Sequence, residues 1–226
     1  MKKIFFGVVL LSSLFVSCSK DGDEGATTPS ETYLHTTAGS SWNYRTVDNN
    51  TPGTPEDYTR TSTNKDTTIN GKTYHVYSNS NSGESEYNGK VGNDYFIFQA
   101  LPDELGGSTE ENLYLKAGAA VNASWTQPYS LDAGGFPVTA NVINKIIEKG
   151  MTKTVNGVNY TNVIRVKTDI SIAGLPPGIV TFTTDINQYY APKVGLIEAS
   201  TKITFDVMGT RDSTNETTTL QSATLL

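Results

Sequence analysis

The chain has 226 residues, 36% of them hydrophobic and 18% charged, with one Cys and a formal net charge of −6. That length is enough to bury a core. The single Cys excludes an internal disulfide or a thiolate zinc site, and the acidic balance excludes nucleic acid, whose phosphates require a basic face.

Lys2 and Lys3 precede an apolar run from Ile4 to Val16, shorter than the roughly 20 residues that span a bilayer. Basic, then apolar, then small residues form a secretory signal, residues 1–17. The only Cys follows directly, and Leu14-Phe15-Val16-Ser17-Cys18 resembles a bacterial lipobox. That resemblance implies acylation of Cys18, palmitate included, with about 0.8 kcal/mol of membrane affinity per buried CH₂. Processing removes two Lys and leaves 15 basic against 23 acidic residues, a net −8. Residues 18–31 carry Asp21, Asp23, Glu24 and Pro29 among small residues, the composition of a flexible acidic tether. The acidic cluster behind Cys18 also resembles the export signal of surface-exposed Bacteroidota lipoproteins. It lacks the spacing and distal Glu of a calcium-binding EF-hand.

Beyond the tether, 32 Thr, 12 Tyr and 8 Phe favour strands over helices. Four features recur in the same order. Trp42, Asn70-Gly71, Tyr74 and Tyr95-Phe96 in the first half answer to Trp125, Asn156-Gly157, Tyr160 and Tyr189-Tyr190 in the second. This predicts an internal duplication, residues 32–108 and 109–226, with one shared core or two lobes. Asn-Gly between strand-forming runs predicts a hairpin, because both central residues of a type I′ turn take positive φ. Residues 162–172 and 197–207 alternate apolar with polar, so each is an antiparallel strand with one wet face. Residues 141–150 suit a short helix or a strand. The tail from Thr210 either frays or closes as a last strand near 218–225. The fold class is mainly β: two related antiparallel β-meander repeats forming a sandwich, open barrel or curved sheet.

Tyr33-Leu34 leading into Gly39-Ser40-Ser41-Trp42-Asn43-Tyr44 resembles an opening shared by Bacteroidota envelope lipoproteins. The later segment Tyr189-Tyr190-Ala191-Pro192-Lys193-Val194-Gly195-Leu196-Ile197 resembles one that recurs near their ends. The resemblance spans most of the mature chain. It implies an envelope location and a β fold, and no catalytic residues to carry over.

Catalytic chemistry has few candidates. A nucleophilic triad needs a base, and the only His residues are His35 and His75. No Gly-x-Ser-x-Gly elbow or phosphate-binding Gly loop is present. Paired acids are the remaining option: Asp103-Glu104 and Glu110-Glu111 flank Gly106-Gly107, as a hydrolase site, a Ca²⁺ loop or plain surface. Tyr74, Tyr77, Tyr87, Tyr95, Tyr114, Tyr129, Tyr160, Tyr189 and Tyr190 form either a stacking surface for a sugar or peptide, or a core. Trp42 and Trp125 read as core anchors. Asp66-Thr67-Thr68 and Asp212-Ser213-Thr214 resemble the short O-glycosylation acceptor of Bacteroidota.

The resulting expectation is a non-catalytic binding or structural module, lipid-anchored at the envelope on its outer membrane, periplasmic or surface-exposed. No cofactor or metal is expected. Its partners are the membrane, through the lipid, and a glycan, peptide or envelope protein. The alternatives are a carrier or chaperone of lipidic cargo in a β cavity, and a carboxylate-dependent hydrolase.

Overall fold

The computed structural model describes residues 31–51, 53–100, 109–132, 137–174, 180–207 and 209–226. The signal, Cys18, the tether, Asp103, Glu104 and Gly106-Gly107 lie outside the described residues, as do Pro52, Gly134-Gly135 and residues 175–178 of the predicted turns.

Twelve strands follow one another: β1 (Ser41–Asp48), β2 (Glu56–Ile69), β3 (Lys72–Asn79), β4 (Ser85–Val91), β5 (Asp94–Ala100), β6 (Thr109–Lys116), β7 (Ser124–Asp132), β8 (Pro137–Val155), β9 (Val158–Ala173), β10 (Val180–Ala191), β11 (Gly195–Val207) and β12 (Thr210–Thr224). Among the described residues there is no helix; residues 141–150 belong to β8, and the tail is β12 in full. Of the three Asn-Gly pairs, Asn88-Gly89 lies within β4, and the other two sit where a type I′ turn requires them. Asn70 (φ 51°) and Gly71 (φ 79°) join β2 to β3, and Asn156 (φ 48°) and Gly157 (φ 79°) join β8 to β9.

All pairings are antiparallel, and the strands form one sheet in the order β6-β5-β4-β3-β2-β1-β12-β11-β10-β9-β8-β7. Each strand lies beside its neighbours in sequence except β6 and β7, the two ends of the sheet, and β1 also lies beside β12, from Ser41 opposite Thr224 to Asp48 opposite Glu216. This is a nearly closed up-and-down barrel with one seam, between β6 and β7. Of the architectures expected, the open barrel is the one found. Trp42 and Trp125 fall on β1 and β7, and the two Asn-Gly turns fall after β2 and β8. Tyr95-Phe96 is on β5, whereas Tyr189-Tyr190 is on β10. Six strands precede the connection at 117–123 and six follow it.

Side chains rather than a backbone ladder close the seam. Trp125 Nε1 donates to Leu113 O (2.7 Å), Tyr129 OH to Glu111 O (2.9 Å), and Gln127 Nε2 also to Glu111 O. In return the Leu113 amide donates to Gln127 Oε1 (2.9 Å). The exposed edge of β6 thus has its carbonyls and amide occupied, as an unpaired edge requires. The core runs across the seam: Tyr95, Tyr114 and Leu115 pack with Trp125, Ile146, Ile164, Val166 and Tyr190. A second cluster joins Trp42, Tyr44 and Tyr77 to Val155, Val163, Ile197 and Leu220.

Large exposed hydrophobics among the described residues are Val91, Val158, Leu225 and Leu226 at strand or chain ends and Val121 in the 117–123 connection. No helix among the described residues is long and apolar enough to cross a membrane.

Candidate functional site

Residues 31–40 precede β1 as a strap whose Tyr33 and Ser40 are buried, while residues 36–39 are exposed. Thr32 O accepts the Lys193 amide (2.6 Å), and the Tyr33 amide donates to Tyr95 OH (3.1 Å). Tyr33 OH reaches Asn162 O (3.0 Å), and His35 O accepts from Tyr77 OH (2.6 Å). Gly195 is glycine for a visible reason: its φ is 90°, and a Cβ there would stand 3.2 Å from Tyr33 O. The strap's Leu34 packs on both core clusters.

Against this strap lies a cavity of about 700 Å³, within the range of small-molecule sites. Its walls come from β1 (Tyr44), β2 (Tyr58, Arg60), β4 (Glu86, Tyr87, Asn88), β5 (Ile97, Phe98), β6 (Asn112, Tyr114) and β10 (Gln188, Tyr190). Tyr58 and Arg60 share a strand face because alternate residues of a strand point the same way. The Arg60 guanidinium lies flat against Tyr77, 3.6 Å from the ring centre, with Trp42 at 5.5 Å. Its Nε stands 2.8 Å from Glu86 Oε2, an ion pair by distance, but off the N–H direction. Arg60 Nε and Nη2, Asn88 Nδ2 and Asn112 Oδ1 are accordingly buried without a hydrogen-bond partner. A buried polar atom left so costs about 1–3 kcal/mol. These atoms are enclosed within the wall and expose no surface to the cavity, and Arg60 is held by its ion pair with Glu86.

Tyr44, Tyr58, Tyr114 and Tyr190 of the cavity wall are held in their neutral form. Burial, with Glu86 adding to it, pushes Tyr58 up to about 12. Burial also raises Tyr44, Tyr114 and Tyr190 well above the ordinary phenol value. For Arg60, burial disfavours the charge, but Glu86 and the nearby phenols outweigh it and the pKa is raised. The cavity therefore presents aromatic faces, amides and one matched charge pair.

The residues singled out by sequence are distributed differently. Of the nine tyrosines, Tyr74, Tyr77, Tyr95 and Tyr129 are buried in the packing, and Tyr114 and Tyr190 are both buried and part of the cavity wall. Tyr87 lines the cavity, Tyr160 packs on the second cluster, and Tyr189 lies under Lys153 Nζ at 3.8 Å. They do not form one exposed stacking platform. Trp42 and Trp125 are buried anchors. Glu111 is held by Lys72 Nζ (2.6 Å) and by Tyr74 OH, and Glu110 is its neighbour on β6. Thr67 and Thr68 are on β2; Asp212, Ser213 and Thr214 are exposed on β12. His35 Nε2 meets Ser40 Oγ (3.1 Å). No three His, Cys, Asp or Glu side chains among the described residues converge as metal ligands.

His75 is the surprise. Its Nε2 lies 2.8 Å from Ser62 Oγ and its Nδ1 2.7 Å from Asp66 Oδ1. This is the bonding order of a charge-relay triad. Ser62, however, is 1% exposed, and the strap covers it: its amide donates to Ser40 O (2.8 Å) and its carbonyl accepts from Gly39 (2.9 Å). A neighbouring cleft of about 430 Å³ is lined by Asp66 and His75 but not by Ser62. The three residues flank the bulge that breaks the β2–β3 register between Ser62 and Asp66. Their bonds hold that bulge in place.

Tyr44, Tyr58, Arg60, Asn88 and Asn112 were missed by the sequence reading. Strand parity held a signal for one of them, since Arg60 follows Tyr58 by two and precedes Ser62 by two, on a face that is otherwise inward. Nothing local marks Asn112, whose role depends on which strands face the same cavity.

No family model matches the chain, and no curated protein is significantly similar to it in sequence. A solved structure with the same fold is that of a "putative lipoprotein" from the Bacteroidota species Parabacteroides distasonis. The two are 14% identical with a TM-score of 0.51, and the match covers 86% of this chain and 99% of the other. The chain thus shares its fold with a protein described in the terms that its own N-terminal and barrel motifs resemble.

Proposed function

We propose that this chain is a lipid-anchored envelope protein that binds a small polar ligand in its barrel cavity without converting it. One observation carries the reading: a cavity of about 700 Å³ whose walls mix tyrosine rings with the polar side chains of Arg60, Glu86, Asn88, Asn112 and Gln188. The neutral phenols support binding over proton transfer, since a group that exchanges protons near neutrality needs a pKa near the working pH. The same polar wall favours this reading over a carrier of lipidic cargo, whose cavity would be dry and apolar. The lipobox-like Cys18 and the fold shared with the Parabacteroides protein support the envelope address.

The test is ligand-observed NMR on the full protein in detergent, against pooled sugars, dipeptides and nucleosides, with palmitate as the apolar control. Binding of a polar solute that is lost in Leu196→Trp, which fills the cavity, is expected; binding of palmitate alone would overturn the reading. For the address, Cys18→Ala is expected to move the protein out of the membrane fraction, and retention there would refute lipid anchoring. Protease treatment of intact cells separates surface display, where the protein is cut, from a periplasmic face, where it is spared.

A further inference from the structure

We infer that the ligand class of this cavity is a neutral saccharide, an inference that rests on the reading of the cavity as a binding site. Three features of the wall converge on it.

The first is the balance of charge. Arg60 is matched by Glu86 at 2.8 Å, and Glu84 also lines the space. An anionic ligand would compete with Glu86 for the guanidinium and face Glu84 as well. A cationic ligand would compete with Arg60 for Glu86 and would otherwise be drawn only to Glu84, which is exposed.

The second is the amide lining. Asn88, Asn112 and Gln188 stand in the cavity wall, and a side-chain amide carries both donors and an acceptor. A hydroxyl donates and accepts through one atom, so a ring carrying several hydroxyls satisfies both kinds of group without bringing charge. An acyl chain satisfies neither.

The third is the pair of aromatic faces. Tyr58 stacks on Tyr44 with centroids 5.3 Å apart and planes at 24°, on β1 and β2. Tyr114 and Tyr190 form a second pair at 5.2 Å, from β6 and β10. Sugar rings carry apolar C–H faces between their hydroxyls, and flat phenol faces provide the apolar surface that such a ring covers. A peptide ligand would instead look for a free strand edge. The β6 edge beside this cavity is occupied, with Glu111 and Leu113 already bonded to Trp125, Gln127 and Tyr129. Entry is from the β3–β4 end, where exposed Ser82, Glu84 and Ser85 reach the cavity.

The experiment titrates the full protein with maltose, cellobiose, lactose and chitobiose, with glucuronate and palmitate as controls, following saturation transfer and protein NMR shifts. At least one neutral disaccharide is expected to bind. Asn112→Leu and Tyr58→Ala are each expected to weaken it about tenfold, the scale of one lost buried polar or stacking contact, whereas Tyr58→Phe keeps the ring and retains binding. Unchanged dispersion of the NMR spectrum certifies that each variant is folded. If none of the four sugars binds, the saccharide inference is overturned. If glucuronate or palmitate binds instead and Leu196→Trp abolishes it, the inference falls while the cavity reading stands. If sugar binding survives Leu196→Trp, both fall.

Discussion

The indole N–H of Trp42 donates to the carbonyl of Val194 at 2.9 Å, across 152 residues of chain. Two strand positions further on, Tyr44 OH donates to Leu196 O at 2.8 Å. Lys193 and Gly195 meet the strap at Thr32 and Tyr33. The motif around Trp42 and the later motif around Val194 are therefore the two sides of one contact. Replacing Trp42 by Phe is expected to strand the Val194 carbonyl and weaken the aromatic box around Arg60. We expect a loss of about 1–3 kcal/mol, read as a lowered urea midpoint with an unchanged slope. A midpoint equal to wild type would show that this contact is dispensable.

At the seam, Gln127 stands in for the strand that β6 lacks. Gln127→Leu removes both its bonds to β6 and exposes the Leu113 amide. Hydrogen exchange at Leu113 is expected to accelerate selectively, with stability lower by about 1–2 kcal/mol. Equal protection of Leu113 in both proteins would mean that backbone pairing closes the barrel after all.

Alkaline pH acts through the buried phenols. Tyr33, Tyr58 and Tyr77 are pushed up to about 12, mainly by burial, and Tyr44, Tyr114 and Tyr190 are raised too. Unfolded tyrosines lose their protons near pH 10, so above that point the unfolded chain binds fewer protons than the folded one. Their stabilising contribution is complete below about pH 10 and is lost as pH climbs toward and past about 12. Urea midpoints should be insensitive to these groups near neutrality and fall steeply above pH 10. Phenolate absorbance rising fully at pH 10 in a protein that stays folded would contradict the burial described.

The Ser62–His75–Asp66 chain gives a sharp negative prediction. A fluorophosphonate probe is expected to leave Ser62 unlabelled, because the strap denies the reagent its hydroxyl. His75→Ala should lower stability by about 1–3 kcal/mol, through the unpaired Ser62 and the bulge it supports, and leave ligand binding within about twofold. Stoichiometric labelling of Ser62, absent in Ser62→Ala, would make this a nucleophile.

Much of the fold was legible because it is written in short range. Asn70-Gly71 and Asn156-Gly157 needed only their own turn geometry, and the alternation through 162–172 needed only strand parity. The ambiguous 141–150 segment became strand because its inward residues, Val142, Asn144 and Ile146, continue the period of two along β8. What sequence did not reveal is which strand ends meet. Nothing near Trp42 names Val194 as its acceptor, and nothing near Ser62 announces a histidine thirteen residues on. The tyrosines illustrate the same limit. Their abundance signalled aromatic packing, but Tyr87, Tyr114 and Tyr190 face a cavity while Tyr77 and Tyr95 fill a core, a distinction made by barrel closure alone.

Closure of that ring falls to the first and last strands. β1 has its second ladder only on β12, roughly 180 residues away, and the Leu226 amide is bonded to Ser40 Oγ at 3.0 Å. Pairing at that separation is slow to form, and it waits until the final residues are available. A chain deprived of β12 is consequently not a slightly smaller barrel. It is two separate sheets, β6 to β1 and β11 to β7, in which β1 and β11 each present an unsatisfied edge, the geometry that recruits other chains. The fifteen residues of β12 guard against self-association as much as they join the two halves of the sheet.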